Sequence, residues 1–213
     1  MKSDLVYPLK NAPEPGTAVE LAPRMLWLRL PVPGSLRHIN VWLLDDRDGW
    51  TLVDTGMNTP ESRELWSGPL HALLGGRPLT RILCTHHHPD HSGLAHFLEE
   101  RHGARICMSE GELGVLDRIR ACTQDAGVAD ARVRALEAEG LDVSDEMRSL
   151  ARFERYRTVT SGFPTHAESV ADRSTFTAGG RDWQVRILGG HTDAQVVLWS
   201  ERDGLLISAD QVL

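Results

Sequence analysis

The stretch Cys84-Thr85-His86-His87-His88-Pro89-Asp90-His91-Ser92-Gly93 constrains this chain more than any other. Arg81-Ile82-Leu83-Cys84-Thr85 before it reads as a short buried strand. Leu94, Phe97, Leu98 and Arg101 after it follow helical spacing, so a helix over 91–102 is expected, ended by Gly103. Four imidazoles and one carboxylate therefore sit on a strand-to-helix turn, where α/β proteins place their chemistry. In an extended turn side chains alternate, so His86, His88 and Asp90 point one way and His87 the other. Pro89 favours this, because a residue preceding proline is pushed out of the helical region. Asp90 is placed to cap the helix and His91 lies in its first turn. Imidazole nitrogens and carboxylate oxygens are ligands that Zn, Mn and Fe(II) accept. A tag-like polar run would not be broken by Pro-Asp or set between a strand and a helix.

The elements before the cluster suggest an antiparallel opening. Residues 1–23, with Pro8, Pro13, Pro15, Gly16 and Pro23, read as a loop-like arm on the surface. Strands are expected over Arg24–Leu30, broken by Pro31-Val32-Pro33-Gly34, then over His38–Leu44 and Trp50–Asp54, with a turn at Asp45–Gly49. Asp54 ends an apolar run and needs a partner if buried. From position alone, a carboxylate orienting a metal-bound histidine and a turn aspartate are equally good readings. One helix is expected over Thr59–Leu74, with Thr59 as N-cap and Pro60 in the first helical position. A strand follows over Ala104–Met108.

Residues 109–172 change character and read as a helical insertion. Eight arginines between Arg118 and Arg157 raise the idea of an anionic ligand, but ten acids between Glu112 and Glu154 nearly balance them, which favours a solvated helical face. Strands resume over Arg173–Thr177 and Asp182–Leu188 around Gly179-Gly180, and over Gln195–Ser200 and Leu205–Ser208 around Asp203-Gly204. His191 follows a Gly-Gly turn, and Asp210 ends the last strand.

His86-x-His88-x-Asp90-His91 resembles the signature of the metallo-β-lactamase superfamily. Val53-Asp54-Thr55-Gly56, Gly190-His191-Thr192 and Asp210 match further motifs of that family in the right order. The resemblance implies a four-layer αβ/βα sandwich of the α+β class, occupying 1–213 and carrying the 109–172 insertion. It implies His86, His88 and His191 on one metal ion, Asp90 and His91 on a second, and Asp210 between them. Asp54 then becomes a partner of a ligand histidine, and His87 a surface or supporting residue. Zinc is the expected metal, as two ions in a complete domain, with iron or manganese as alternatives. The implied activity is hydrolysis of a small thioester or ester by metal-bound hydroxide, with Asp90 orienting the nucleophile or accepting its proton. The general layout is similar to hydroxyacylglutathione hydrolases. A mononuclear Fe(II) persulfide dioxygenase is the alternative, and a non-catalytic fragment another. The family pattern has a further histidine beyond the bridging aspartate, whereas this chain stops at Leu213; the expectation is a C-terminally incomplete domain.

Composition bounds the partners. The net charge of -7 argues against neutralising nucleic-acid phosphates. No stretch approaches a membrane span of about 20 apolar residues, and Met1–Leu5 lacks the apolar run of a signal peptide. Three cysteines, Cys84, Cys107 and Cys122, form no C-x-x-C pair and suggest reduced thiols in the cytoplasm. A small-molecule substrate is expected, with no nucleic acid or membrane partner; the oligomeric state is not legible.

Overall fold

The computed structural model describes residue 9 and residues 11–212. The readings made on Met1–Leu5, Pro8 and Leu213 lie outside the described residues. Two sheets face one another. The larger has seven strands in sequence order: β1 (Val19–Ala22), β2 (Met25–Val32), β3 (Arg37–Asp46), β4 (Gly49–Val53), β5 (Leu79–Leu83), β6 (Arg105–Ser109) and β7 (Ala167–Val170). Its first four strands pair antiparallel, and β4 to β7 pair parallel. The smaller sheet is antiparallel, in the order β11-β10-β9-β8, from β8 (Thr175–Ala178), β9 (Arg181–Leu188), β10 (Gln195–Ser200) and β11 (Leu205–Ile207).

The burial patterns explain the layering. Met25, Leu44, Val53, Leu83 and Cys107 on the large sheet meet Phe176, Trp183, Val185, Val196, Leu198 and Ile207 on the small one. The opposite face of the large sheet, through Leu28, Leu30, Leu52, Ile82 and Ile106, packs under helices that supply Trp66, Leu70, Leu94, Leu98, Leu116 and Ile119. Burying each such side chain contributes roughly 1.5–3 kcal/mol before entropy is counted. Helices thus cover the large sheet. On the outer face of the small sheet Leu188 and Leu206 are exposed. No helix of the described residues is long and apolar enough to cross a membrane.

Several expected boundaries shift for identifiable reasons. Residues 19–22 of the expected arm form β1, because Val19 and Glu20 pair with Trp27 and Leu26. The strand expected to stop at Leu30 runs on to Val32, with Pro31 opposite His38 near the hairpin end. The single helix over Thr59–Leu74 is two, α1 (Pro60–Ser67) and α2 (Pro69–Leu73). Thr59 does cap α1, accepting from the Ser62 amide at 3.1 Å. Pro69 breaks the run by forcing Gly68 out of helical geometry. The helix after the cluster is likewise split into α3 (Pro89–Ser92) and α4 (Ala95–His102). The Leu94 amide donates to Gly56 O and to Thr55 Oγ1, both at 3.1 Å, instead of to a helical carbonyl. Asp90 lies inside the first turn of α3 and makes no capping bond; His88 holds the cap position. Within 109–172 there are four helices, α5 (Glu110–Gln124), α6 (Ala126–Ala138), α7 (Asp145–Ala151) and α8 (Tyr156–Val159), and then the sheet strand β7. Helix α5 gives Leu116 and Ile119 to the main core, whereas Val133, Val143 and Ala151 form a small cluster of their own.

Glu99 ties α4 to the segment entering β7. Its carboxylate accepts from Thr165 N at 2.8 Å, Thr165 Oγ1 at 3.0 Å and His166 N at 3.0 Å. Burial works to raise its pKa, but these donors override it and hold the carboxyl below its ordinary range. A depressed folded-state pKa contributes stability above the unfolded-state value and loses it as pH falls through the folded value. Glu99→Gln is therefore expected to cost on the order of 2 kcal/mol at pH 7. In urea titrations the gap to the parent should narrow below about pH 4; a gap independent of pH would count against this role.

Candidate metal centre

The site lies where strands of both sheets end. Asp54 follows β4, His86 follows β5, His191 follows β9, and Asp210 sits in a 3-10 turn, Ala209–Gln211, after β11. The arrangement agrees with the tendency of α/β folds to bind ligands beyond the carboxyl ends of their strands.

Two sets of ligand atoms converge. His86, His88 and His191 offer one ring nitrogen each within 4.8 Å of one another, and His86, His91 and Asp210 bring two ring nitrogens and a carboxylate oxygen equally close. His86 is common to both. Asp210 spans them: its Oδ1 is 3.3 Å from His91 Nε2, and its Oδ2 is 3.2 Å from His191 Nε2. His88 Nδ1 and His191 Nε2 are 2.9 Å apart. Asp90 stands beside these sets and belongs to neither, with its Oδ2 3.6 Å from His91 Nε2.

Hydrogen bonds set the ring orientations. Asp54 is fully buried, with φ of 62°. It accepts from Thr85 N at 2.8 Å and from His91 Nδ1 at 2.8 Å, and the Thr85 hydroxyl lies 2.9 Å from its Oδ2. A carboxylate can only accept here, so His91 carries its proton on Nδ1. Because the Thr85 hydroxyl donates to Asp54, its oxygen accepts from His86 Nδ1 at 3.0 Å. His86 therefore keeps Nε2 as a bare lone pair, and His91, anchored through Nδ1, turns its own Nε2 to the same place. Those two nitrogens are buried and have no hydrogen-bond partner. An orphaned buried polar atom is costly, and two ring nitrogens converging beside the Asp210 carboxylate suit a cation. The electrostatics agree. Burial opposes charge on His91, but Asp54, Asp210 and Asp90 raise its pKa to about 10, so the surroundings of Nε2 favour positive charge. Burial and the neighbouring imidazoles instead keep His86 and His88 neutral, His88 being lowered to about 4. Neutral imidazole is the ligating form.

His87 turns away from the ligand sets, as alternation predicts, and Glu112 meets it. Glu112 Oε2 accepts from His87 N at 2.9 Å and lies 2.6 Å from His87 Nδ1. Its Oε1 accepts from Thr192 Oγ1 at 2.6 Å and from Ala194 N at 3.3 Å. Burial would raise the Glu112 pKa, but these donors pull it below the usual range. One carboxylate thus links the histidine cluster to the His191 loop. The sequence reading missed it. Ser109-Glu110-Gly111-Glu112 has the spacing of a capping box, which would turn Glu112 back on its own helix. Ser109 does cap α5, through the Glu112 amide at 3.2 Å, but the carboxylate crosses to the neighbouring loops. Gly111 allows the approach, since a Cβ there would lie 2.5 Å from Ala194 Cβ. Tyr156 Oη and Ser92 Oγ add bonds to His87 O at 3.0 and 2.9 Å.

Two clefts flank the centre. One of about 300 Å³ includes Ile39, Trp42, Asp90, His91 and Asp210. The other, of about 290 Å³, opens on His88 and His191.

Comparison with known proteins agrees with this geometry. Residues 34–213 match the profile of the family described as the metallo-beta-lactamase superfamily. A probable metallo-hydrolase of Bacillus subtilis (strain 168), YqjP, is 24% identical over 190 residues, covering 87% of this chain and 56% of that protein. The chain thus spans just over half the length of this curated relative. A beta-lactamase domain protein from Burkholderia ambifaria superposes with a TM-score of 0.75 at 34% identity, over 96% of this chain and 60% of that one. A metallo-beta-lactamase family protein from Thermus thermophilus gives 0.71 at 28% identity, over 91% and 61%.

Proposed function

The chain belongs to the metallo-beta-lactamase superfamily, and from that premise we propose that it is a metal-dependent hydrolase of a small thioester or ester. The observation that carries the proposal is the pair of ligand sets sharing His86, with the unpartnered Nε2 atoms of His86 and His91 between them. His86, His88 and His191 would hold one divalent ion, and His91 and Asp90 a second, with Asp210 offering one oxygen to each. Zinc suits nitrogen and oxygen donors of this kind, and iron and manganese accept them too. Such an ion supplies Lewis acidity and brings the pKa of a coordinated water down towards about 7.

The protein groups divide the remaining work. Asp54 fixes the His91 tautomer, Thr85 that of His86, and Glu112 holds the His87 and His191 loops together. Asp90, beside His91 Nε2, is placed to orient the attacking water and take its proton. Neighbouring hydroxyls are committed elsewhere: Thr85 to Asp54, Thr192 to Glu112 and Ser92 to His87 O. The Cys84 thiol is buried, and burial pushes its pKa well up, so it is a poor nucleophile. These features support attack by water rather than by a side chain. The three cysteines are free and buried, which supports a reducing compartment.

The test is turnover of thioester and ester substrates by protein of measured metal content. Activity should vanish on chelation and return with zinc, iron or manganese. Asp90→Asn should lower kcat by about 10²–10⁴-fold. Hydrolysis that survives complete metal removal, or an unimpaired Asp90→Asn variant, would overturn the proposal. Oxygen consumption with a persulfide and no hydrolysis would replace it with the iron oxidoreductase.

A further inference from the structure

The cleft over His88 and His191 gathers arginines of the helical segment. Of the eight arginines between Arg118 and Arg157, Arg120 pairs with Asp117, Arg148 with Glu137, and Arg152 with Asp130 and Glu154. Arg118 on α5 and Arg132 on α6 have no carboxylate within 4.0 Å among the described residues, and both line this cleft. Sequence balance alone suggests a uniformly solvated face. Five of the eight have no carboxylate partner among the described residues, and two of these, Arg118 and Arg132, come together beside the metal ligands.

Phe153 is an independent observation. The chain after α7 turns back through Phe153 at φ 55°, with Phe153 N bonded to Leu150 O at 3.0 Å and Glu154 N to Ser149 O at 3.2 Å. This is a left-handed helix C-terminus, a position that favours glycine and is strained for a bulky side chain. Phenylalanine there puts its ring on the cleft wall, with the Arg132 guanidinium 4.8 Å from the ring centre. The stacked ring restricts Arg132 while leaving its N–H fork free. Asp193, exposed on the same cleft, is the one carboxylate lining it among the described residues, so the two arginines leave the wall with net positive charge.

We propose that Arg118 and Arg132 bind an anionic group of the substrate, a carboxylate or phosphate, and so select anionic thioesters or esters for the adjoining metal centre. This substrate class rests on the hydrolase reading. Guanidinium presents paired donors that match two oxygens of such a group, and a cleft of about 290 Å³ holds a compact one. Charge at the mouth also draws anions in against the overall net charge of -7.

The experiment has two arms on metal-loaded protein, comparing the parent with Arg118→Gln, Arg132→Gln, the double variant, and Arg134→Gln, an exposed arginine away from the cleft. The binding arm titrates succinate and inorganic phosphate by calorimetry. The affinity for at least one should fall about tenfold or more per cleft arginine and be unchanged in Arg134→Gln. The anion that responds identifies the chemistry. The turnover arm compares a butyryl with a succinyl thioester, and a neutral thiol leaving group with one bearing a phosphate monoester. The parent should prefer a charged member by about ten- to hundredfold in kcat/KM, and the double variant should bring that ratio near one. Affinities equal in parent and double variant, or a ratio that the double variant leaves intact, would overturn the proposal. If no thioester or ester is turned over, the hydrolase reading fails, and the binding arm still decides the cleft.

Discussion

His86→Ala is expected to empty the centre. His86 belongs to both convergent ligand sets, so its loss leaves each with two members. Mutating outer partners of metal ligands typically costs 10–100-fold in affinity; removing a shared ligand should cost more than about 100-fold, and hydrolytic activity should be lost with it. The fold itself should be spared. His86 Nε2 has no hydrogen-bond partner, so alanine removes that unsatisfied buried atom and gives up only the Nδ1 bond to Thr85 Oγ1. Metal bound at about 100 times its Kd stabilises a fold by about 2.7 kcal/mol. Added zinc should therefore raise the melting temperature of the metal-free parent and leave that of His86→Ala unchanged. A variant that keeps the parent's metal stoichiometry would show that the convergence of these rings is not a ligand set.

Asp54→Asn should have the second-largest effect, through a tautomer. Asparagine tolerates the left-handed conformation of this residue, so the backbone need not move. Its amide oxygen can still accept from Thr85 N. The amide nitrogen then faces His91 Nδ1, where it donates. His91 must accept on Nδ1 and carry its proton on Nε2, the atom needed for a metal. Affinity on the His91 side should drop by about 10–100-fold, and the fold should lose about 1–3 kcal/mol with the charge-assisted bonds of Asp54. Nitrogen-15 shifts of the His91 ring would report the tautomer directly. An unchanged shift, with full metal content, would remove Asp54 from this role.

How much was legible in the sequence depended on the range of each interaction. The cluster His86 to His91 carried its own geometry, because a strand, a proline and a helix start fix how neighbouring side chains alternate. His191 and Asp210 had no local signal of that strength and were placed by resemblance alone. The structure brings both to the cluster, across more than a hundred residues of chain. Asp90 was expected among the ligands and lies just outside the convergent sets, because it is carried inside the turn of α3 rather than in an extended segment. Glu112 was hidden by a local motif that explains its position without its function. Helix ends were misjudged at Gly68-Pro69, where the proline breaks the run, and at Gly93-Leu94, where contacts with distant backbone override helical periodicity.

The hydrogen bonds that Asp54 accepts have a bearing on entropy. Its main-chain N–H bonds to Leu83 O across the β4–β5 ladder at 2.9 Å, while its side chain holds Thr85 and His91. The groups that orient the rings are thus immobilised by the same strand pairing that closes the hydrophobic core. Conformational freedom is surrendered when the sheets assemble, before any ion arrives. Ion capture then has little ordering left to do, in contrast to small metal-folded domains that remain unfolded without their ion.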